Sequence, residues 1–437
     1  MGKIAFKYGL DDVPPPLELI LLSLQWLAIL VPSIIIIGKV VAGFHYSSFT
    51  DQVVYMQKTF FVTALALLVQ VLWGHRLPLI MGPAAVLLVG IVASSGSDLH
   101  TVYSSIMIGG IVLFLVAVTG LFGYLKRLFT PRVIAVVLIL IAFTMAPTIM
   151  NLITAPVMQA SSLFNLTFAL VFLLCMFVSG RYLTGIWKST IIIWSIFAGS
   201  LVYFLFFPNQ LGREHSELVS FSAPFFNLLD FQLVVDPAVV LSFLICFLAL
   251  SINDLGSIQA VGEVIKPDLM KQRITRGLSL TGLFNGLSGL LGVVGVVNYS
   301  ISPGVIVPTN CASRYTLVPA ALGLLAVSFF PPATAFIDVI PRVVIGSVLV
   351  YVMCSQISAG LMVAFSSVKI GFDDGLIMGL PFMLGIVISF LPGEVLETFP
   401  VFLRPLLGNG FVVGVLAVFF LEHIVYRNHK LSCAQPG

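Results

Sequence analysis

Apolar runs long enough to cross a bilayer, where about 20 residues span a hydrocarbon core of about 30 Å, recur along the whole chain. They centre on residues 18–37, 57–73, 77–94, 104–123, 132–149, 162–179 and 188–207, then on 238–262, 276–296, 303–315, 316–331, 340–365, 374–392 and 400–422. The longest polar gap, Asn209–Asp236, divides these fourteen segments into seven and seven. The pattern predicts an all-α polytopic membrane protein: a tail at 1–16, a first repeat at 17–207, a loop at 208–237, a second repeat at 238–422 and a tail at 423–437. Met1–Pro16 is polar and proline-rich, and the run that follows, Leu17–Ile37, is too long for the apolar part of a signal peptide. The start therefore reads as a cytoplasmic tail feeding span 1.

Two segments break the pattern. Span 3 opens Leu79-Ile80-Met81-Gly82-Pro83-Ala84 and span 10 opens Ser300-Ile301-Ser302-Pro303-Gly304, each third in its group of seven. Proline suits the first turn of a helix and disfavours helix in the residue before it. The expected geometry is a short extended stretch followed by a half-helix that starts inside the membrane. Seven spans per repeat place the halves in opposite orientations, the inverted-repeat plan in which interrupted helices in matching positions mark a transporter's substrate site. Two half-helix N-termini would then aim free N–H groups at one point near the midplane. A coincidental pair of proline kinks is the alternative.

Charge agrees with the segment count. With both termini inside, sixteen of the 21 Lys and Arg fall in cytoplasmic loops, and Lys39, Lys58, Arg213, Arg342 and Arg404 fall outside. Among the 437 residues, 59% are hydrophobic and 9% charged, with mean hydropathy +1.12. Soluble domains are about 25% charged, so a soluble enzyme and a disordered chain are excluded, and a net charge of +3 is too small for a nucleic-acid binder. The five cysteines (Cys175, Cys246, Cys311, Cys354 and Cys433) show no metal or disulfide spacing, and all six histidines lie in loops or at segment ends. No catalytic group, metal set or cofactor loop is evident, so the expectation is a protein that is not an enzyme and carries no cofactor.

Asn298–Arg314, NYSISPGVIVPTNCASR, resembles the signature of the nucleobase–ascorbate transporter family (uracil/xanthine permeases), roughly Gln/Glu-Asn-x-Gly-Val-x-x-x-Thr-x-x-Ala-Ser-Arg. Gly304, Val305, Thr309, Ala312, Ser313 and Arg314 fall on matching positions. Arg276–Gly292 looks like the family's ninth span, Ser251–Ile258 sits where its eighth has Glu-x-x-Gly, and Val339–Gly346 resembles the start of its twelfth. The resemblance implies fourteen spans in two inverted sevens, with spans 3 and 10 meeting head to head. It also implies a mobile core (spans 1–4 and 8–11) moving elevator-fashion against a gate (5–7 and 12–14), nucleobase symport with H+ in the plasma (inner) membrane, and homodimers paired through the gate. The chain departs from the family at the site. Asn253 stands where a carboxylate binds the base, Ile301-Ser302 where Gln/Glu-Asn opens the motif, Gln25-Trp26 where Gln-His is found, and Ala84 and Ala85 near an aromatic position.

Asp254 is the one acid well inside a predicted span, and a central acid costs about 2.5–3.5 kcal/mol on insertion scales, so it calls for a cavity or a partner. It is the candidate for the coupling proton, with a protonated structural hydrogen-bond donor as the alternative. It lies about 100° around the helix from Asn253. Asn253, Gly256, Ser257 and Ala260 share a stripe that reads as a substrate face or a tight helix interface. Ser302, Pro303 and Gly304 from span 10 and Gly82 and Ala84 from span 3 complete the candidate substrate set; Ser302 could instead cap its own half-helix. Trp26 offers a stacking ring or core packing. Thr309 reads as a ligand or a bond to its own backbone, Gln70 as an interhelical bond, and Arg314 as complementing the C-terminus of the half-helix. The overall expectation is a nucleobase transporter for uracil, xanthine or a related base. The alternative is a small-anion transporter or channel of the same fold, which two opposed helix N-termini would suit.

Overall fold

The computed structural model describes residues 6–94, 96–121, 130–154, 161–184, 187, 191–208, 231–299, 301–330, 340–365, 371–400 and 404–426. Ser300, most of the 208–237 loop, the tail from 427 with Cys433, and the loop cations Lys126, Arg127, Lys188 and Lys369 lie outside them.

Helix α1 (Pro16–His45) starts at a proline, whose missing N–H is no loss at a first turn. After α2 (Phe49–Leu72) the chain turns extended as strand β1 (Met81–Pro83), then enters the nine-residue α3 (Ala85–Ala93) and α4 (Leu99–Val118). Helices α5 (Pro131–Thr144) and α6 (Ala146–Thr154) follow, with α7 (Ser162–Tyr182) and α8 (Ile191–Phe206) completing the first half. The second half runs through α9 (Pro237–Ile265), α10 (Met270–Leu291), strand β2 (Val296–Asn298), the seven-residue α11 (Pro303–Thr309) and, after a 3₁₀ turn at Arg314–Thr316, α12 (Leu317–Ser328). It ends with α13 (Arg342–Phe365), α14 (Phe372–Ser389), short α15 (Gly393–Glu397) and α16 (Arg404–Leu407), and α17 (Gly410–Phe420), which runs into a π turn at Leu421–Val425. Among the described residues, eight helices are long and apolar enough to cross a membrane and three shorter apolar helices accompany them.

Both halves therefore read long helix, long helix, strand with short helix, helix. They interlock: α4 packs on α9 and α10, and α12 packs on α1 and α2. Against α10 the fit of α4 is close enough that a side chain at Gly110, Gly282 or Gly289 would strike the facing main chain, the small-residue contact that lets membrane helices approach. The remaining long helices form a second bundle, with α13 against α5, α6 and α7, and α14 and α17 against each other and α5. Arg132 pins one end of that bundle, its Nη1 2.9 Å from Glu422 and its Nη2 2.7 Å from Asp374.

The two breaks fall where the prolines put them, with local differences. Pro83 ends β1 rather than opening α3, whose N-cap is Ala84. In the second half the strand lies at Val296–Asn298, upstream of the Ser300–Ser302 stretch expected to be extended, and Ser302 is itself helical (φ −56°, ψ −38°) despite preceding a proline. The cause is pairing: β1 and β2 form an antiparallel ladder, Met81 opposite Asn298 and Pro83 opposite Val296. That ladder takes the β-branched Val296–Val297 and leaves Ser302 to start the helix.

The Ala312-Ser313-Arg314 end of the motif anchors the N-terminal segment. Residues 7–12 run beside 310–314, with Lys7 N–H donating to Asn310 O (3.0 Å), Ala312 N–H to Tyr8 O (2.9 Å) and Arg314 N–H to Leu10 O (3.1 Å). Arg314 meets Asp11 through Nε (2.7 Å) and caps α2, not α11, by donating from Nη1 to Val71 O (2.8 Å). The carbonyls at the end of α2 are closer to the guanidinium than those of a half-helix that closes on its own αL residue, Asn310.

Candidate functional site

Non-helical backbone at membrane depth must be satisfied by protein, and the β1–β2 pair shows how. On their shared edge the ladder continues past the strands, with Ala84 N–H donating to Gly295 O (2.8 Å) and Tyr299 N–H to Ile80 O (2.9 Å). On its other edge β2 is closed by side chains. Asn285 of α10 accepts from Val296 N–H (3.1 Å) and donates to Val296 O (2.8 Å), standing in for a neighbouring strand. From α9, Asp254 Oδ1 accepts from Asn298 N–H (2.9 Å) and from the Asn298 carboxamide (2.7 Å), while the Ser257 hydroxyl donates to Asn298 O (2.9 Å).

Asp254 is fully buried and so are Asn298, Asn285, Thr281 and His75. Asp254 Oδ1 is committed to β2; Oδ2 makes no hydrogen bond among the described residues, and the Thr281 side chain of α10 lies near enough to act on the carboxyl. A carboxylate with one oxygen serving two N–H donors and the other unpartnered both builds the break and keeps a position for a proton.

The helical turn of α9 that carries Asp254 has a second face. Asn253 is half-buried and its amide makes no hydrogen bond among the described residues. One turn on, Gly256 is exposed and a Cβ there would meet nothing within 4 Å. Ser257, between the two faces, is buried and bonds Asn253 O (2.8 Å) as well as β2. Of the expected stripe, Gly256 fronts open space and Asn253 is half-buried one turn before it, whereas Ser257 is turned inward.

The half-helices differ as anion ends. Ala84 N–H is used by Gly295, and Leu87 and Leu88 donate to Ala84 O, so the spare amides of α3 are those of Ala85 and Val86. Pro303 has no N–H, and Val305 and Ile306 both return to Ser302 O at 3.0 Å, which leaves Gly304 alone at the start of a helix under two turns long. Ser302 makes no side-chain cap; its hydroxyl accepts from Ile80 N–H (3.1 Å) and locks the two breaks together. Thr309 bonds its own backbone at Val305 O (2.7 Å). Trp26 is 3% exposed and donates from its indole to Thr316 Oγ1 (2.9 Å), so its ring is spent on core packing around the 3₁₀ turn. Gln70 bonds across helices to Gly277 O (2.8 Å) and Thr281 Oγ1 (3.1 Å).

Residues missed in the sequence surround these. Tyr299 donates to Pro83 O (2.8 Å) and its ring covers Gly82, where any Cβ would overlap it. Asn285, Thr281, Asn298 and His75 complete the buried polar set. Gly292 and Gly295, framing a run of valines that ends in Asn298, were the available signal for a second strand.

Halves that interlock through broken third segments define a membrane transporter fold. Solved structures agree: the transmembrane domain of the cyanobacterial bicarbonate transporter BicA superposes with TM-score 0.63 at 15% identity, covering 87% of this chain and 97% of that one. That likeness, to transporters built as seven plus seven inverted repeats, concerns the fold. The chain belongs to the Permease family (Xan_ur_permease), whose pattern matches residues 17–394. Its relatives include two uric acid permeases of Bacillus subtilis. PucJ is 26% identical over 80% of this chain and 78% of its own length, and PucK is 26% identical over 96% and 97%. XanP, a xanthine permease of Escherichia coli, is 24% identical over 79% of this chain and 75% of its own. The family is one of transporters rather than enzymes, and its members' names with the apolar helices here mark an integral membrane protein.

Proposed function

We propose that this protein is a secondary-active transporter of nucleobases, with xanthine, urate and uracil as the candidate cargo. The observation that carries the reading is Asn253: a half-buried carboxamide with no hydrogen-bond partner among the described residues, one turn from the open Gly256 position of α9 and next to Asp254, which braces the paired breaks. An amide offers both a donor and an acceptor, the complement of the N–H/C=O imide edge these bases share. Gly256 leaves room for a flat ring to approach the helix. Relatives that carry purine names support the class of cargo.

In this reading fourteen membrane crossings form two inverted sevens with both ends cytoplasmic. α1–α4 and α9–α12 with the paired strands are the moving core, and α5–α8 and α13–α17 the gate, along which homodimers would pair. The interlock within the first set supports motion as one body, since the β1–β2 ladder and the α4–α10 contact leave no seam inside it. Proton coupling falls to Asp254, whose unpartnered Oδ2 accepts the proton while Oδ1 keeps hold of β2. The small-anion alternative is disfavoured by the shortage of spare amides at α11, where Gly304 alone is left over among the described residues.

Uptake into proteoliposomes tests this. Labelled xanthine, urate or uracil should accumulate under an inward proton gradient and bicarbonate should not. Asn253→Ala, at a position whose side chain makes no hydrogen bond among the described residues, should weaken uptake at least about tenfold, the worth of one lost hydrogen bond to a polar ligand. Asp254→Asn should uncouple uptake from pH. Uptake of bicarbonate with no response to any nucleobase would overturn the proposal.

A further inference from the structure

His75, in the joint between α2 and β1, is fully buried. Its Nδ1 accepts from Leu77 N–H at 3.0 Å. A nitrogen that accepts cannot carry a proton, so the ring is neutral and its hydrogen sits on Nε2. Burial pushes the imidazole pKa down to about 3, with the Arg273 charge adding to this and Asn298 opposing it. The Asn298 side chain lies near enough to act on the ring. His75 Nε2, a donor, and Asn298 Oδ1, an acceptor, are both buried, and neither meets a hydrogen-bond partner among the described residues. On its far side the Asn298 carboxamide donates from Nδ2 to Asp254 at 2.7 Å.

Leu77 N–H points at His75 and Asn298 Nδ2–H at Asp254; between these two bonds stand one spare donor, His75 Nε2–H, and one spare acceptor, Asn298 Oδ1, which are complementary. We propose that His75, acting through Asn298, is the positioning residue that sets the pH at which Asp254 exchanges its proton. The chain holds the carboxamide with its N–H₂ toward Asp254, which favours the ionised carboxylate. Without the imidazole donor the carboxamide is free to flip, presenting an acceptor to Asp254 and favouring the protonated acid. This inference rests on Asp254 as the coupling acid.

The surrounding charges leave the assignment clear. Arg273 faces His75, donating from Nη1 to His75 O (3.0 Å) and Arg76 O (2.8 Å), and is itself flanked by Asp11, Asp268, Arg76 and Arg314. From α2, Gln70 Oε1 faces the His75 N–H at 3.4 Å. Asp254 meets Thr281 from α10 and Asn298 from β2, and among the described residues no charged group acts on it.

Infrared difference titration of the purified full-length protein tests the relay. The protonated-carboxyl band of Asp254 is assigned by its loss in Asp254→Asn. In His75→Phe, which keeps a ring but loses the donor, its midpoint should move to higher pH by about one unit, the size expected for weakening one charge-assisted hydrogen bond. The proton-driven uptake profile should move with it at unchanged KM for xanthine. His75→Gln, which restores an N–H donor, should bring the midpoint part of the way back. An unmoved midpoint in His75→Phe, or equal shifts in Phe and Gln, would overturn the proposal. ¹⁵N spectra of the wild-type His75 imidazole provide a check that needs no variant: a proton on Nδ1 would overturn it, and one on Nε2 from pH 5 to 9 supports it. A wild-type protein with no titrating band would instead remove Asp254 as the coupling acid.

Discussion

Asn285 gives the sharpest test of how the second break is held. Its carboxamide is fully buried, accepts from Val296 N–H at 3.1 Å, and donates to Val296 O and Thr281 O at 2.8 and 2.7 Å. Asn285→Leu preserves side-chain size but strands both main-chain groups of Val296 in a buried site. Each orphaned group costs about 1–3 kcal/mol, so the expected loss is about 2–6 kcal/mol, a large part of the 5–15 kcal/mol typical of a folded domain. Asn285→Asp keeps the acceptor and should fall between leucine and wild type. Ser257→Ala removes one donor to Asn298 O and should cost about 1 kcal/mol. The assay is the thermal unfolding midpoint in one detergent at fixed pH, with retained xanthine uptake as a second readout. An Asn285→Leu protein that melts with wild type and transports normally would show that the outer edge of β2 is not held by this amide.

Gly82→Ala should reduce transport more than it reduces expression, because a Cβ at that position overlaps the Tyr299 ring and must push it off Pro83 O; pairing it with Tyr299→Ala should recover part of the loss. Arg314→Lys should destabilise the protein by about 1–3 kcal/mol in the same melt, since one ammonium cannot reproduce the fork that reaches Asp11, Val71 O and Tyr315 together. Acidification should also destabilise. Burial depresses the His75 pKa from 6.5 to about 3, so below pH 6.5 the unfolded chain takes up a proton the folded one refuses, and stability is lost as pH falls toward 3. Between pH 7 and 5 this amounts to about 2 kcal/mol, and His75→Gln should flatten that part of the midpoint-against-pH curve.

Local chemistry made the breaks legible. Pro83 and Pro303, each among small residues in a third segment, announced them, and opposite insertion of the halves implied that they meet. Asp254 stood out because a lone acid in an apolar run needs a reason. What closed around the breaks was not legible, because it consists of side chains answering backbone groups far away in sequence. Asn285 looks like any polar residue in a glycine-rich helix until Val296 is placed beside it, and His75 reads as a loop histidine until the α2–β1 joint is seen to be buried. By type alone Ser302 reads as a ligand or a cap, and Trp26 as core packing or a stacking ring; the fold uses Ser302 to join the breaks and Trp26 in the core, bracing a 3₁₀ turn. The sequence places Arg314 at the end of the half-helix, yet it caps α2, because which helix end a cation serves depends on tertiary placement.

Gly256 offers the most direct measurement of the central claim, that a nucleobase docks on the open face of α9 beside the paired breaks. Its Cβ position is empty to 4 Å, so Gly256→Cys should fold, and it is placed in a background in which Cys175, Cys354 and Cys433 are each changed to Ser, which removes the exposed and half-exposed thiols of the described residues and the one in the C-terminal tail. Alkylation of that cysteine by a small maleimide should slow severalfold in saturating xanthine and be unchanged by bicarbonate. An alkylation rate that no purine or pyrimidine base alters, in protein that still transports, would place the cargo elsewhere and contradict the account.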